Sequence, residues 1–136
     1  VCLGTDGAAS NNAQNMFREM GLLALIHKGT HDDPQCLSAD VVLRMATRDA
    51  AQALQLPCGS IEVGKRADLA LLDLDASSLA PLNNPVSALT YSTCGSEVRH
   101  TIIDGRLVMR DRELLTIDEE RARHELARVC ARLGLT

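Results

Sequence analysis

The residues best able to do chemistry lie near the start of the chain, where the apolar run Val1-Cys2-Leu3-Gly4-Thr5 gives way to Asp6-Gly7-Ala8-Ala9-Ser10-Asn11-Asn12. A carboxylate at the end of an apolar strand can ligate a metal or relay a proton, and the hydroxyl and amides after it can hydrogen-bond a ligand. The same residues equally suit a plain strand-end turn, with Asn12 capping the helix that follows. His27 and His31 are four apart, which on an unbroken helix places both imidazoles on one face. Gly29 between them is expected to interrupt that helix, and no H-E-x-x-H pattern accompanies them, so a solvated helix end is the plainer reading. His100 falls in a strand and His124 on the charged face of a helix, where both read as structural or surface residues. Gly64-Lys65 lacks the glycine spacing of a phosphate-binding loop and sits before a strand, which makes it a turn.

The elements that must position these groups follow from hydrophobic spacing. Val1–Thr5 has the apolar character of a short buried strand. Ala13 to His27 carries Met16, Met20, Leu23 and Ile26 at helical spacing, with Asn12 as N-cap and Gly29 as stop. After a loop containing Asp32-Asp33-Pro34, Ser38 opens a second helix from Ala39 to Leu54 with Val42, Leu43, Met45, Ala46, Ala50 and Leu54 inward. Beyond Leu56 the pattern turns to strands. Ala67–Leu74, Glu97–Ile103 and Arg106–Arg110 alternate with turns, Ala76–Pro85 is irregular, and Asp104-Gly105 joins the last two strands as a type I′ hairpin. Asp118 to Leu133 forms a final helix with a stripe at Ala122, Leu126, Val129, Cys130 and Leu133.

Composition excludes several classes of function. At 136 residues the chain can bury one core but falls well short of the roughly 250 residues of a (β/α)₈ barrel. One Tyr and one Phe leave an aliphatic core and no stacking platform for bases. The net charge of −4, with no run of Lys or Arg, argues against a nucleic-acid partner. No segment approaches the roughly 20 apolar residues that span a bilayer, so no membrane partner is expected, and the cytoplasm is the expected location. Five cysteines, odd in number and without a C-x-x-C pair, fit free thiols in a reducing compartment better than a disulfide framework or zinc knuckle. A chain that opens inside an apolar strand reads as truncated.

Three motifs in order carry a family resemblance. Leu3-Gly4-Thr5-Asp6-Gly7-Ala8-Ala9-Ser10-Asn11-Asn12, followed by Met16-Phe17-Arg18-Glu19-Met20, resembles the last barrel strand and loop of the methylthioadenosine/S-adenosylhomocysteine deaminases and triazine chlorohydrolases. Met45-Ala46-Thr47 with Ala50-Ala51-Gln52-Ala53-Leu54 resembles the helix those enzymes place next. Gly59-Ser60-Ile61-Glu62-Val63-Gly64-Lys65-Arg66-Ala67-Asp68-Leu69 resembles the segment that leads into a small β-sandwich in many members of the amidohydrolase superfamily.

The resemblance implies an α/β fragment. Residues 1–56 would be the end of a metal-dependent hydrolase (β/α)₈ barrel, its last strand and flanking helices. Residues 57–117 would be part of a β-sandwich domain, and 118–136 a C-terminal helix. It implies one metal, zinc or iron, held by an H-x-H pair, two further histidines and an aspartate after the last strand. Asp6 stands at that aspartate's position, as metal ligand and catalytic carboxylate that takes a proton from metal-activated water. Ser10, Asn11 and Asn12 would touch substrate or support the ligands. The implied reaction is hydrolytic deamination or dechlorination of a small heterocyclic substrate, purine-nucleoside-like or triazine-like. The histidines of that set are absent, so this chain alone is expected to be inactive and to bind no metal. The alternative is a non-catalytic β-rich interaction module derived from such an enzyme. Either way, uncovered strand edges predict a homo-oligomer.

Overall fold

The computed structural model describes residues 1–135; Thr136, at the end of the predicted C-terminal segment, lies outside the described residues. Helices dominate the first half. α1 spans Met16–His31, α2 Ala39–Ala46 and α3 Arg48–Ala53. The second half holds β1 (Leu69–Leu72), a 3₁₀ turn at Ser77–Leu79, α4 (Pro85–Tyr91), β2 (Val98–Ile103), β3 (Arg106–Arg110), β4 (Glu113–Leu114) and α5 (Glu119–Arg132).

The core is small and helical. Met20 and Ala24 of α1 close on Val42 of α2, with Leu3, Phe17, Leu23, Leu37, Leu43 and Ala46 packed around them. α4 completes this cluster by packing on both α1 and α2. Its buried Thr90 marks the junction, because a Cβ at Gly21 of α1 would stand 3.0 Å from the Thr90 carbonyl oxygen. Any side chain at position 21 would therefore push the two helices apart.

Four departures from the expected elements have local causes. Val1–Thr5 is not a strand; among the described residues it has no neighbouring strand, and the Leu3 N–H instead donates to the Met45 carbonyl at 3.0 Å. α1 begins at Met16 rather than Ala13, since Asn15 and not Asn12 is its cap, accepting from the N–H groups of Phe17 and Arg18. It runs through Gly29 to His31 and stops where Asp32 takes a left-handed conformation at φ 50°. A single glycine costs a helix about 1 kcal/mol, which flanking turns can carry.

The helix expected over Ala39–Leu54 divides at Thr47 (φ −126°, ψ −89°), whose hydroxyl donates back to the Leu43 carbonyl at 2.7 Å. Such back-bonding offers the chain an alternative to the regular helix. The division rotates the following turn, so Ala51 is buried while Leu54, expected to face inward, is 67% exposed. The fourth departure is α4, a helix not expected from the sequence, which begins at Pro85, the last residue of the segment expected to be irregular. Asn84 caps it by accepting from the Ser87 N–H, and Pro85 occupies its first position.

The strands form one antiparallel meander in the order β1-β2-β3-β4. Asp104 and Gly105, at φ 51° and 75°, make the hairpin turn with the positive φ values that a type I′ turn requires. The turn is anchored across the sheet: the Asp104 N–H donates to Asp68 Oδ1 at 2.6 Å and the Gly105 N–H to the Ala67 carbonyl at 3.0 Å. The two sequence features Ala67-Asp68-Leu69 and Asp104-Gly105 thus meet in space. α5 follows with Asp118 as its cap and buries none of its residues. Its apolar stripe is uncovered, with Leu126 and Leu133 about two-thirds exposed (64% and 66%). No helix among the described residues is long and apolar enough to cross a membrane.

Candidate functional site

Asp6 sits in the turn before α1 in a left-handed conformation (φ 59°) that short polar side chains tolerate best after glycine. It is exposed. Its Oδ1 accepts the Gly7 N–H at 2.6 Å, which orients the carboxylate and leaves Oδ2 without a hydrogen bond among the described residues. The backbone around it is tied down from several sides. Thr5 Oγ1 donates to the Asp6 carbonyl at 3.1 Å, and Gln14 Nε2 donates to the same oxygen at 2.8 Å.

Of the three polar residues expected beside Asp6, Asn11 does the most. Its Nδ2 donates to the Thr5 carbonyl and to Glu19 Oε1, both at 2.8 Å, while its Oδ1 accepts the Ala13 N–H at 2.9 Å. Asn11 therefore fastens the Asp6 turn to the first turn of α1, and its amide is committed to the protein's own groups. Ser10 and Asn12 are exposed. The Ser10 backbone N–H donates to the Gly7 carbonyl at 2.9 Å and closes the turn.

Gln14, Asn15 and Glu19 were not anticipated as parts of this frame. Asn15 reaches furthest: besides capping α1, its Nδ2 donates to the Cys94 carbonyl at 2.7 Å, 79 residues away. One signal for it was present, because Glu19 falls in the first helical turn only if Asn15 is the cap, and an acid there suits the helix dipole. The far side of that contact is organised by Glu97, which is 2% exposed. Its carboxylate accepts from Ser78 Oγ at 2.6 Å and from the N–H groups of Cys94 and Gly95 at 3.1 and 3.0 Å. Burial pushes the Glu97 carboxyl up, but these hydrogen bonds together outweigh it and hold the group at about 2 instead of its ordinary 4.5.

The other predicted positions serve the scaffold. Lys65 contacts Ser60 Oγ and lies 3.3 Å from Glu62 Oε1, so the Gly59–Arg66 motif closes on itself as a turn. The Ser60 and Lys65 contacts pull the Glu62 carboxyl below its ordinary value. His100 accepts the Asp111 N–H at Nδ1 (3.2 Å), beside an Arg99–Asp111 ion pair at 2.7 Å that lowers the Asp111 carboxyl. His124 is exposed on α5.

Residues 1–108, which contain the Asp6 turn, the helices and most of the sheet, match the sequence profile of the amidohydrolase family. The chain belongs to the amidohydrolase family. It is 51% identical over 135 residues to a 5-methylthioadenosine/S-adenosylhomocysteine deaminase of Acetivibrio thermocellus, covering 98% of this chain and 31% of that protein. Against the enzyme of the same description from Haloarcula marismortui it is 46% identical over 133 residues, again 98% and 31%. Among solved structures, an adenosine deaminase from Xanthomonas campestris with bound zinc superposes with a TM-score of 0.93 at 36% identity, covering 99% of this chain and 31% of that one. An atrazine chlorohydrolase from Arthrobacter aurescens complexed with zinc gives 0.73 at 28% identity, covering 88% and 27%. This amidohydrolase chain thus spans about a third of the length of the relatives it matches.

Zinc accompanies those two structures, and the donors around Asp6 bear on whether this chain could hold it. Among the described residues, the group of three or more metal-ligating side chains lies at His27, His31 and Cys36, not at Asp6. A catalytic zinc takes about three protein ligands. Asp6 offers one, so the donors of this chain do not by themselves fit a catalytic metal there.

Proposed function

We propose that the chain is the C-terminal part of a metal-dependent amidohydrolase that deaminates or dechlorinates a heterocyclic ring, and that Asp6 is the carboxylate it contributes to the active site. The observation that carries this reading is the 51% identity to a deaminase of S-adenosylhomocysteine and 5-methylthioadenosine across a match that includes the Asp6 turn. In the proposed arrangement residues 1–56 close the barrel, 57–117 contribute to the β-sandwich and 118–136 form the terminal helix. The other metal ligands come from outside these 136 residues. Zinc or iron, when bound, supplies Lewis-acid activation of water. What this chain adds is an acceptor at Asp6 Oδ2, held in place by the Gly7 N–H on Oδ1 and by the Asn11 bridge to Glu19.

Substrate class follows from the relatives. A purine nucleoside of the methylthioadenosine or S-adenosylhomocysteine type is the first choice, since the deaminases are the more similar relatives (51% against 28% for the chlorohydrolase). Asn11 is better assigned to support of the turn than to substrate, because its amide is already bonded; Ser10 and Asn12 remain the candidates for ligand contact.

Hydrolysis of 5-methylthioadenosine, S-adenosylhomocysteine and a chloro-triazine is the corresponding test, run on this chain alone and on the chain joined to the preceding segment of its reading frame. Activity is expected only from the joined form, with ammonia released from the two nucleosides. Turnover by the 136-residue chain alone would sink the proposal that its ligand set is incomplete.

A further inference from the structure

The end of α1 carries an arrangement that the Asp6 chemistry does not use. Because the helix continues through Gly29, His27 and His31 lie one turn apart on one face, with ring centroids at 5.7 Å and planes within 18° of parallel. The chain then reverses at Asp32 and brings Cys36 back against them. One donor atom from each of His27, His31 and Cys36 lies within 4.8 Å of the others. We propose that these three side chains form a second metal site, selective for a soft or borderline divalent cation of the zinc class.

Several observations support a built cluster rather than a chance approach. The reversal that delivers Cys36 is held by Lys28, whose Nζ donates to the carbonyls of Pro34 and Cys36, both at 2.7 Å. The Asp33 N–H donates to the Lys28 carbonyl at 3.2 Å, and Asp33 in turn accepts from the N–H of Gln35 (2.8 Å) and of Cys36 (3.1 Å). Cys36 is half-buried and so is His27, while His31 is exposed. Two imidazoles and a thiolate are the donor types that zinc prefers over the oxygen donors suited to magnesium or calcium. Bond lengths of about 2.0–2.1 Å to nitrogen and 2.3 Å to sulfur place tetrahedral ligands roughly 3.3–3.7 Å apart. The cluster therefore needs to tighten by at most about 1.5 Å, a change within reach of side-chain rotation at the exposed His31.

This departs from the expectation that the chain binds no metal of its own, which counted only the ligands implied around Asp6. It also reverses the reading of the His27–His31 pair, which rested on Gly29 ending the helix and did not include Cys36. The two places are separate. Asn11 ties the Asp6 turn to Glu19, and from Glu19 to His27 the helix rises roughly 12 Å at 1.5 Å per residue. Binding would release the Cys36 thiol proton to solvent and leave a fourth position for water or a small anion. Its consequence would be structural, pinning the end of α1 to the loop that leads into α2.

Zinc titration of the metal-free chain against a chromophoric chelator, with cobalt(II) as an optical probe, tests the site. One zinc per chain is expected, and cobalt should give a sulfur-to-metal charge-transfer band that disappears in Cys36→Ser. The double variant His27→Ala/His31→Ala keeps all five cysteines and should bind zinc at least tenfold more weakly. Zinc affinity unchanged in that variant would place any bound metal elsewhere and overturn the proposal, as would the absence of stoichiometric zinc from the unaltered chain. Asp6→Asn should leave this zinc in place, which separates the result from any failure of the hydrolase reading. Should the double variant lose helix content by circular dichroism, the nearly isosteric Cys36→Ser carries the test alone, and a charge-transfer band that persists in it overturns the proposal.

Discussion

Asp6 and Glu97 are both carboxylates that accept backbone N–H groups, yet their surroundings assign them opposite work. Asp6 is exposed, takes one N–H and keeps an oxygen available. Glu97 is buried and spends both oxygens on the protein, joining Ser78 to the turn after α4. Replacing it tests that assignment. Glu97→Gln should cost about 1–3 kcal/mol in urea unfolding at neutral pH, the range for hydrogen bonds to a charged group whose partners are left unpaired. Since the folded-state value lies below the ordinary one, the stability it contributes is complete above pH 4.5 and is lost as pH falls through about 2. The variant should therefore show a flatter stability profile across that acid range; a profile identical to wild type would mean the carboxylate is not held as described. Asn15 offers a parallel case. Asn15→Ala removes a helix cap and the only described side-chain bond from α1 to the Cys94 turn, and should lower stability by about 1–2 kcal/mol, while Asn12→Ala should change it little.

At the scale of elements, the break between α2 and α3 depends on a close approach that can be tested. Gly59 sits at φ 81°, and a Cβ there would lie 2.7 Å from the Thr47 carbonyl oxygen and 2.8 Å from Ala51 Cβ. Gly59→Ala should destabilise the chain by more than about 1 kcal/mol, from positive φ and from contact with backbone that cannot yield. A neutral change in thermal unfolding would contradict the packing of this turn on the helix break. The same region marks what could be read from residue order and what could not. The Asp104-Gly105 hairpin, β3 and α5 were legible because each is set by local chemistry: positive-φ turn residues, a short apolar run, a cap followed by acids. The start of α1 was harder to place, since Asn11, Asn12 and Asn15 are all competent caps and the choice rests on one weak signal, the acid Glu19 in the first turn, joined in the fold by the contact of Asn15 with Cys94. The break at Thr47 left no mark in the apolar spacing, which continues in register to Leu54. Gln14 and Glu19, which brace the Asp6 turn, act through contacts that no spacing announces.

At the scale of the whole molecule, apolar surface is left uncovered. Ile61 and Val63 are almost wholly exposed, α5 presents an open stripe, and Leu72, Leu74, Leu79, Leu82, Pro85 and Leu89 line an apolar groove between β1 and α4. Among the described residues, β1 and β4 are the outer strands of the sheet, each with no strand on its far side. If the chain is studied by itself, these surfaces should drive dimers or larger assemblies, detectable by size-exclusion chromatography with light scattering; a stable monomer at micromolar concentration would contradict this. In the proposed complete enzyme the same surfaces would face the remaining two-thirds of the fold. The measurement that bears most directly on this account is kcat/KM for ammonia release from 5-methylthioadenosine by the chain joined to its preceding segment, with and without Asp6→Asn. A loss of about 10²–10⁴-fold is expected, the range for removing a positioned proton-transfer group. Wild-type turnover in Asp6→Asn would show that the carboxylate is a turn residue and nothing more.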